Sequence, residues 1–108
     1  NAERILVAAE ALGIGRAAMR RAVGYANERK VFGRPIGQNQ GVSFPLGEAQ
    51  MRLDAAELMI RKASWLLDHG EPCGAEANMA KWLAADAAFQ AADQAVQTHG
   101  GFGYAREF

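Results

Sequence analysis

Seven apolar residues, spaced alternately three and four apart, constrain the fold of this chain more than any other feature. They are Leu46, Ala49, Leu53, Ala56, Ile60, Ala63 and Leu67. This spacing places them along one side of a helix for three heptads, which is how helices pack in a bundle. Two further stretches have helical period, about Ala2 to Arg29 and the alanine-rich Gly74 to His99.

The three stretches predict an all-α fold, an up-and-down helical bundle. Short connections between long helices make sequential neighbours antiparallel, so we expect three long antiparallel helices of a four-helix bundle. The helical pattern begins with the first residues of the chain, and the sequence ends at Tyr104–Phe108 before the pattern there is complete. We therefore expect residues 1–108 to be one incomplete domain of a larger protein, with the last helix after Phe108 or from another chain.

Composition excludes several classes of function. Twelve Lys and Arg residues balance twelve Asp and Glu residues, so a nucleic-acid or membrane-surface footprint is not expected. No apolar run reaches the roughly 20 residues that span a bilayer. Cys73 is the only cysteine, which excludes an internal disulfide and suits a reducing compartment. His69, Glu71 and Cys73 share one turn, but we interpret them as a solvated corner, and no metal is expected.

Individual residues in the helices carry packing predictions. Gly13 and Gly15 are unfavourable in a helix interior, and we expect another helix backbone to approach closely there. In the third stretch Met79, Trp82 and Phe89 should supply bulk among the alanines, and both Trp65 and Trp82 are interpreted as core or interface bulk. Pro45 should mark the first turn of the second helix or a kink.

Two segments carry the chemistry. Tyr25 to Gln40 holds Arg29, Phe32 and two Gln residues besides the Gly and Pro of an ordered connection. Arg binds phosphate through two parallel hydrogen bonds, and Phe offers a flat apolar face. This set suits a nucleotide-like cofactor with a diphosphate, although a plain connection between helices remains the alternative.

The second segment runs from Gln97 to Tyr104 and contains three glycines in four positions, Gly100, Gly101 and Gly103. Such glycines end a helix in the ordinary way, but three exceed what a cap needs and would let a ligand or a second backbone come close. No strand precedes them, so this is not a dinucleotide fingerprint of the Rossmann type.

Both segments, together with Ala80-Lys81, resemble the C-terminal helical domain of acyl-CoA dehydrogenases, in order and over essentially the whole chain. The resemblance implies FAD as cofactor and oxidation of an acyl-CoA to the 2,3-enoyl-CoA, in fatty acid metabolism. It implies a homo-oligomer, a dimer or usually a tetramer, in which this domain packs against its counterpart. It also implies an electron-transfer flavoprotein as partner, and the bacterial cytoplasm or the mitochondrial matrix as location.

The resemblance also assigns residues. Arg29 matches a contact to the FAD pyrophosphate of the neighbouring subunit, and Phe32 matches a neighbour of the flavin ring. Gln40, Gln97, Gly100 and Gly101 match other residues that line the same cofactor. The isolated chain should be inactive, because most of the flavin site belongs to domains outside it.

The catalytic base has two candidates. The reaction needs a carboxylate to remove the α-proton, and enclosure in an apolar site brings its pKa toward the operating pH. In most of the family this is a Glu beyond the position of Phe108, but in some branches it is a Glu on the first helix, directly before an Arg. Glu3-Arg4 matches that pair, which makes Glu3 the candidate base and Arg4 a residue beside the acyl-CoA. A Glu in a first helical turn is also an ordinary partner of the helix dipole.

Two other functions remain open at this stage. The chain could be a non-enzymatic oligomerisation module that uses the seam from Leu46 to Leu67, or part of an acyl-CoA oxidase with oxygen as acceptor. Chain length of the acyl group cannot be inferred, because the pocket wall is only partly present.

Overall fold

The chain folds as three long helices joined by short connections. A computed structural model describes residues 1–31, 33–35, 37 and 40–100. Its elements are α1 (Ala2–Glu28), β1 (Lys30–Val31), β2 (Arg34–Pro35), α2 (Gln40–Asp68) and α3 (Gly74–His99). The predicted all-α bundle architecture is therefore confirmed. The two strands form only a two-residue antiparallel ladder inside the first connection, which the sequence pattern did not predict.

The helices run up, down and up. Arg4 near the start of α1 bonds to Asn78 near the start of α3, and Tyr25 near the end of α1 meets His99 at the end of α3. Helices α1 and α3 are thus parallel, while α2 is antiparallel to both. One end of the bundle holds the first residues of α1 and α3, and the other holds their last residues together with the start of α2.

The core is built mostly from alanine. The predicted seam of α2 is buried from Leu46 to Ala63, and Leu53 is its one fully buried large side chain; Leu67 is exposed. Opposite it, α3 buries a row of small side chains, Ala77, Ala80, Ala84, Ala87, Ala91 and Ala95. Small residues let helix axes approach closely, as the composition of the third stretch predicted. Because the seam packs inside the chain, it is not available to join copies of the protein.

Gly15 lies where the three helices meet. A Cβ atom added there would come within 2.6 Å of Cδ2 of Leu53 and 3.1 Å of Cα of Ala88. The predicted close approach is confirmed at Gly15. It is wrong at Gly13, where an added Cβ would meet nothing within 4 Å. The heptad phase explains the difference, because the buried row on α1 continues through Gly15 to Met19 and Ala22 and leaves Gly13 outside it.

A charged cluster ties α1 to α2. Arg16 donates to Asp54 at 3.1 Å and to Glu57 at 2.9 Å, and Arg61 donates to the second oxygen of Glu57 at 3.3 Å. The hydrogen bond from Arg16, followed by that from Arg61, lowers the pKa of the Glu57 carboxyl. The cluster therefore favours the antiparallel alignment of the two helices when Glu57 is ionised.

The ends of the helices mostly follow the predictions. Helix α3 spans Gly74 to His99 as expected, and Gly100 follows it at a φ of 59°. Helix α2 begins at Gln40, earlier than expected, so the placement of Pro45 in its first turn is wrong. Proline is tolerated here because it removes only one intrahelical hydrogen bond, the one its amide would donate to the carbonyl of Gly41.

The large apolar side chains do not all lie in the core. Trp82 and Phe89 are 69% and 68% exposed, so neither fills the space among the alanines of α3 within this chain, and that prediction is wrong. The other interpretation of Trp82, as interface bulk, stays a prediction. The helices form a slab of 56 × 26 × 15 Å, too thin to enclose both sides of each helix. No helix among the described residues is long and apolar enough to cross a membrane.

Candidate cofactor-facing end and the opposite end of the bundle

The end of α1 presents Arg29. The residue is exposed and follows the last helical residue in extended conformation, with φ of −72° and ψ of 122°. Its amide donates to the carbonyl of Tyr25 at 2.8 Å. The backbone hydrogen bond fixes where the side chain leaves the helix, while the guanidinium makes no hydrogen bond or ion pair with the described residues and is available to an anion.

The connection after Arg29 folds back on α1. Gly33 turns the chain with a φ of 82° between the two short strands. A Cβ at Gly37 would come within 3.3 Å of the carbonyl oxygen of Ala26, so the segment rests on the last turn of α1. Gln40 then begins α2 with an exposed side chain. Arg29 and Gln40 therefore lie at the same end of the bundle.

The end of α3 reaches the same place. The rings of Tyr25 and His99 are 4.5 Å apart, and Nδ1 of His99 donates to the carbonyl of Ala95 at 2.6 Å. Gln97 is exposed and donates to Asp93 at 3.0 Å. The positive φ of Gly100 is a conformation that a side chain would disfavour. The contact between these two tilted rings thus joins the two segments that the sequence singled out.

This end of the bundle is also basic. From Arg20 to Arg34 the sequence contains five Lys or Arg residues and one acidic residue, although the whole chain is neutral. A groove of about 330 Å³ lies between α1 and α3, and among the residues that line it Arg21 and His99 carry titratable side chains. Sequence analysis did not single out Arg20 and Arg21, because the charge was counted over the whole chain and not over this segment.

Glu3 and Arg4 lie at the opposite end of the bundle. Both are exposed in the first turn of α1. Nη1 of Arg4 donates to Oδ1 of Asn78 at 2.7 Å, which holds the guanidinium beside the start of α3. Nothing among the described residues encloses Glu3, so these residues do not supply the apolar surroundings that a catalytic carboxylate requires.

The two groups of predicted site residues are far apart within one chain. Glu3 and Arg29 are separated by the length of α1, about 40 Å at a rise of 1.5 Å per residue. This is longer than an extended flavin dinucleotide. The structure brings Arg29, Gln40, Gln97 and Gly100 to one end and leaves Glu3 and Arg4 at the other, while Phe32 and Gly101 lie outside the described residues.

The predicted solvated corner between α2 and α3 has internal partners. His69 stacks on Trp65 at 3.9 Å and donates through Nδ1 to the carbonyl of Trp65 at 2.7 Å. His69 and Glu71 are exposed, but Cys73 is buried, so the prediction of a solvated corner is wrong for Cys73. Within the described ranges, no group of three His, Cys, Asp or Glu residues is placed to hold a metal ion.

Comparison with known proteins identifies the family. The family model "Acyl-CoA dehydrogenase, C-terminal domain" matches residues 1–108. The acyl-CoA dehydrogenase FadE12 of Mycobacterium tuberculosis is 49% identical over 110 residues, which cover 100% of this chain and 28% of the relative. The chain therefore spans less than a third of the curated relatives it matches.

Solved structures agree with the family model. The butyryl-CoA dehydrogenase of Megasphaera elsdenii superposes with a TM-score of 0.94 at 41% identity, over 97% of this chain and 27% of that one. A structure titled "PigA with FAD and proline" superposes with a TM-score of 0.93 at 31% identity, over the same two shares. The chain belongs to the acyl-CoA dehydrogenase family and corresponds to its C-terminal helical domain.

Proposed function

We propose that this chain is the C-terminal domain of an FAD-dependent enzyme that oxidises an acyl-CoA thioester to the 2,3-enoyl-CoA. The family match supports the reaction class. The observation that carries the proposal is the convergence of Arg29, Gln40, Gln97 and Gly100 at one basic end of the bundle. These are the residues that the resemblance assigns to the cofactor.

The chemistry of this end fits a flavin dinucleotide. The exposed guanidinium of Arg29 suits a diphosphate, because it can donate two parallel hydrogen bonds to phosphate oxygens. Exposed Gln side chains offer both donors and acceptors to ribose hydroxyls or ring atoms. Gly100 removes the side chain where a ligand would approach the end of α3. When bound, FAD supplies the acceptor for the hydride that leaves the β-carbon.

The length of α1 supports a site shared between copies of the protein. One copy cannot place both Glu3 and Arg29 at the same flavin, because about 40 Å of helix separates them. We infer that Arg29 contacts the flavin of a neighbouring subunit, and that Glu3 and Arg4 act at the flavin of their own subunit. A homo-oligomer is then required for a complete site, and the remaining helix of the bundle comes from outside these residues.

Glu3 is our candidate for the base. Its carboxylate would take the proton from the α-carbon while the hydride leaves the β-carbon, so that the electron pair of the broken α-bond forms the new double bond. Arg4, held by Asn78 at 2.7 Å, would position the acyl-CoA beside it. The electrons then pass to an electron-transfer flavoprotein.

The test uses the whole protein that contains this chain. We expect stoichiometric FAD, and bleaching of the flavin absorbance when acyl-CoA is added. Glu3→Gln should retain FAD and lose at least about a hundredfold in turnover, since general-base catalysis contributes roughly 10²–10⁴-fold. Glu10→Gln is the matched control, because Glu10 is also exposed on α1, and it should remain active.

Three outcomes separate the alternatives. A whole protein without flavin absorbance, which binds no acyl-CoA, would leave only an assembly role. Normal turnover of Glu3→Gln with full FAD content would assign the base to a carboxylate beyond Phe108. Rapid reoxidation of the bleached flavin by oxygen alone would indicate an oxidase.

A further inference from the structure

Helix α2 has a second apolar stripe that the core does not use. Its four large residues recur every seventh position and are between 57% and 70% exposed: Phe44, Met51, Leu58 and Trp65. Each stripe residue lies two positions from a core residue, about 200° around the helix. The stripe therefore runs along the side of α2 that faces away from α1 and α3, for about 31 Å.

Such a stripe is costly to leave in water. Large exposed apolar patches, especially those rimmed by polar residues, mark interaction sites in soluble proteins. Trp65 is already held in place, since His69 stacks against its ring at 3.9 Å. A side chain ordered in this way loses less conformational entropy when a partner covers it.

The positions between the large residues indicate which partner fits. Glu48, Ala55 and Lys62 complete the heptad pattern of the stripe and are exposed. Glu48 and Lys62 lie seven residues before and after Ala55 and carry opposite charges. A second α2 helix, running antiparallel across a two-fold axis near Ala55, would therefore bring Glu48 beside the partner's Lys62, and the reverse contact would form by symmetry.

The apolar residues fit the same arrangement. A two-fold axis near Ala55 sets Met51 against the partner's Leu58 and Phe44 against the partner's Trp65. Ala55 itself would lie at the crossing point, where a small side chain allows the helices to approach closely. A parallel pair would instead set Glu48 against the partner's Glu48 and Lys62 against the partner's Lys62. Like charges in those positions disfavour the parallel arrangement.

We propose that α2 pairs with α2 of a second copy of this chain, antiparallel, through the stripe from Phe44 to Trp65 and around Ala55. The inference rests on the homo-oligomer of the proposed function and adds its contact surface, its orientation and its charge pairs. The seam from Leu46 to Ala63 keeps its place in the core against α1 and α3, so the two faces of α2 do not compete for the same partner.

A charge exchange in the whole protein tests the pairing. Glu48→Lys and Lys62→Glu each place like charges together at both symmetric contacts, and each should weaken self-association roughly tenfold. The double variant restores opposite charges and should recover most of the affinity. Sedimentation over a range of protein concentrations measures this. Oε2 of Glu48 also lies 3.8 Å from Nη1 of Arg52 on the same helix. The double variant lacks this ion pair just as Glu48→Lys does, so it controls for the loss of that contact.

Cysteine cross-linking tests the axis directly. Ala55→Cys should form a disulfide-linked dimer on oxidation, because the two-fold axis brings that residue to its own copy. Ala75→Cys is the matched control, since Ala75 is exposed on α3, and it should stay uncross-linked. The pairing is refuted if Ala55→Cys gives no cross-link, or if the single charge variants associate as tightly as the unmodified protein because another domain of the same subunit covers the stripe.

The readouts keep this inference separate from the proposed function. FAD content and turnover report the function, whereas sedimentation and cross-linking report the pairing. A protein without flavin that still cross-links at Ala55→Cys would refute the function and leave the pairing intact. An active flavoprotein that does not cross-link at Ala55→Cys would refute the pairing and leave the function intact.

Discussion

Replacing Gly15 by Ala tests how closely the helices approach. Gly→Ala in a helix interior ordinarily stabilises by about 1 kcal/mol. Here the new methyl group would lie 2.6 Å from Cδ2 of Leu53 and 3.1 Å from Cα of Ala88. Leu53 is fully buried, the contact with Ala88 is to the backbone, and overpacking of this kind costs about 1–3 kcal/mol. We therefore expect a net change between about zero and 2 kcal/mol of destabilisation.

Gly13→Ala is the matched control on the same helix. An added Cβ at Gly13 would meet nothing within 4 Å, so this variant should gain the full helix preference of about 1 kcal/mol. The two variants should thus differ by about 1–3 kcal/mol, with Gly15→Ala the less stable.

Thermal unfolding followed by circular dichroism at the helical band measures the difference. In a domain of this size, 1 kcal/mol shifts the midpoint by about 4–8 °C. The midpoint of Gly15→Ala should lie at least about 4 °C below that of Gly13→Ala. Equal midpoints would refute the reasoning, because they would mean that the helices are not in close contact at Gly15.

Two further predictions concern the charged cluster and the end of α3. Hydrogen bonds lower the pKa of the Glu57 carboxyl in the folded protein, the one from Arg16 more than the one from Arg61. The ionised carboxylate therefore stabilises the fold above the ordinary carboxyl pKa of 4.5, and this stabilisation is lost as the pH falls through the lower pKa of the folded state. Glu57→Gln should therefore lower the unfolding midpoint at pH 7, and the gap should close progressively below about pH 4.5; a gap independent of pH would contradict this. Gly100→Ala should destabilise by about 1–3 kcal/mol because of the positive φ, whereas Gly74→Ala, at an ordinary φ with open space around it, should not.

Heptad spacing accounts for most of what the sequence could predict about the fold. Both ends of α3 follow from Gly74 and Gly100, and the buried row of α2 follows from the spacing of its apolar residues. The same spacing could have separated Gly15 from Gly13, because only Gly15 continues the buried row of α1. The start of α2 was not predictable in this way, since a proline near a helix start is compatible with either boundary.

The exposed aromatic residues show where spacing is insufficient. Trp82 and Phe89 are seven residues apart, as core residues are, yet both lie on the outside of α3. A helix in a thin layer can carry one apolar row toward its neighbours and another toward a partner, and hydrophobicity does not distinguish the two. The partner has to be known before such residues can be assigned.

The sequence nominates the members of the candidate site, and their roles at a flavin stay a prediction, whereas their layout could not be predicted from it. The resemblance picked out Arg29, Gln40, Gln97 and Gly100, and the up-down-up order of the helices brings them to one end. The same order puts Glu3 at the other end of α1, which follows from helix length alone. That the predicted site residues lie at two opposite ends of the bundle becomes apparent only once the helices are arranged in space.

Subunit complementation in the whole protein tests the shared site most directly. Copies with Glu3→Gln and copies with Arg29→Gln are expressed together with different tags, and the hybrid that carries both tags is purified. Each variant alone should have little turnover. In a symmetric pair, the hybrid has one site that combines an intact Glu3 with an intact Arg29, so it should recover about half of the unmodified turnover. A hybrid as inactive as its two parents would contradict the shared site, because it would mean that Glu3 and Arg29 of the same copy serve the same flavin.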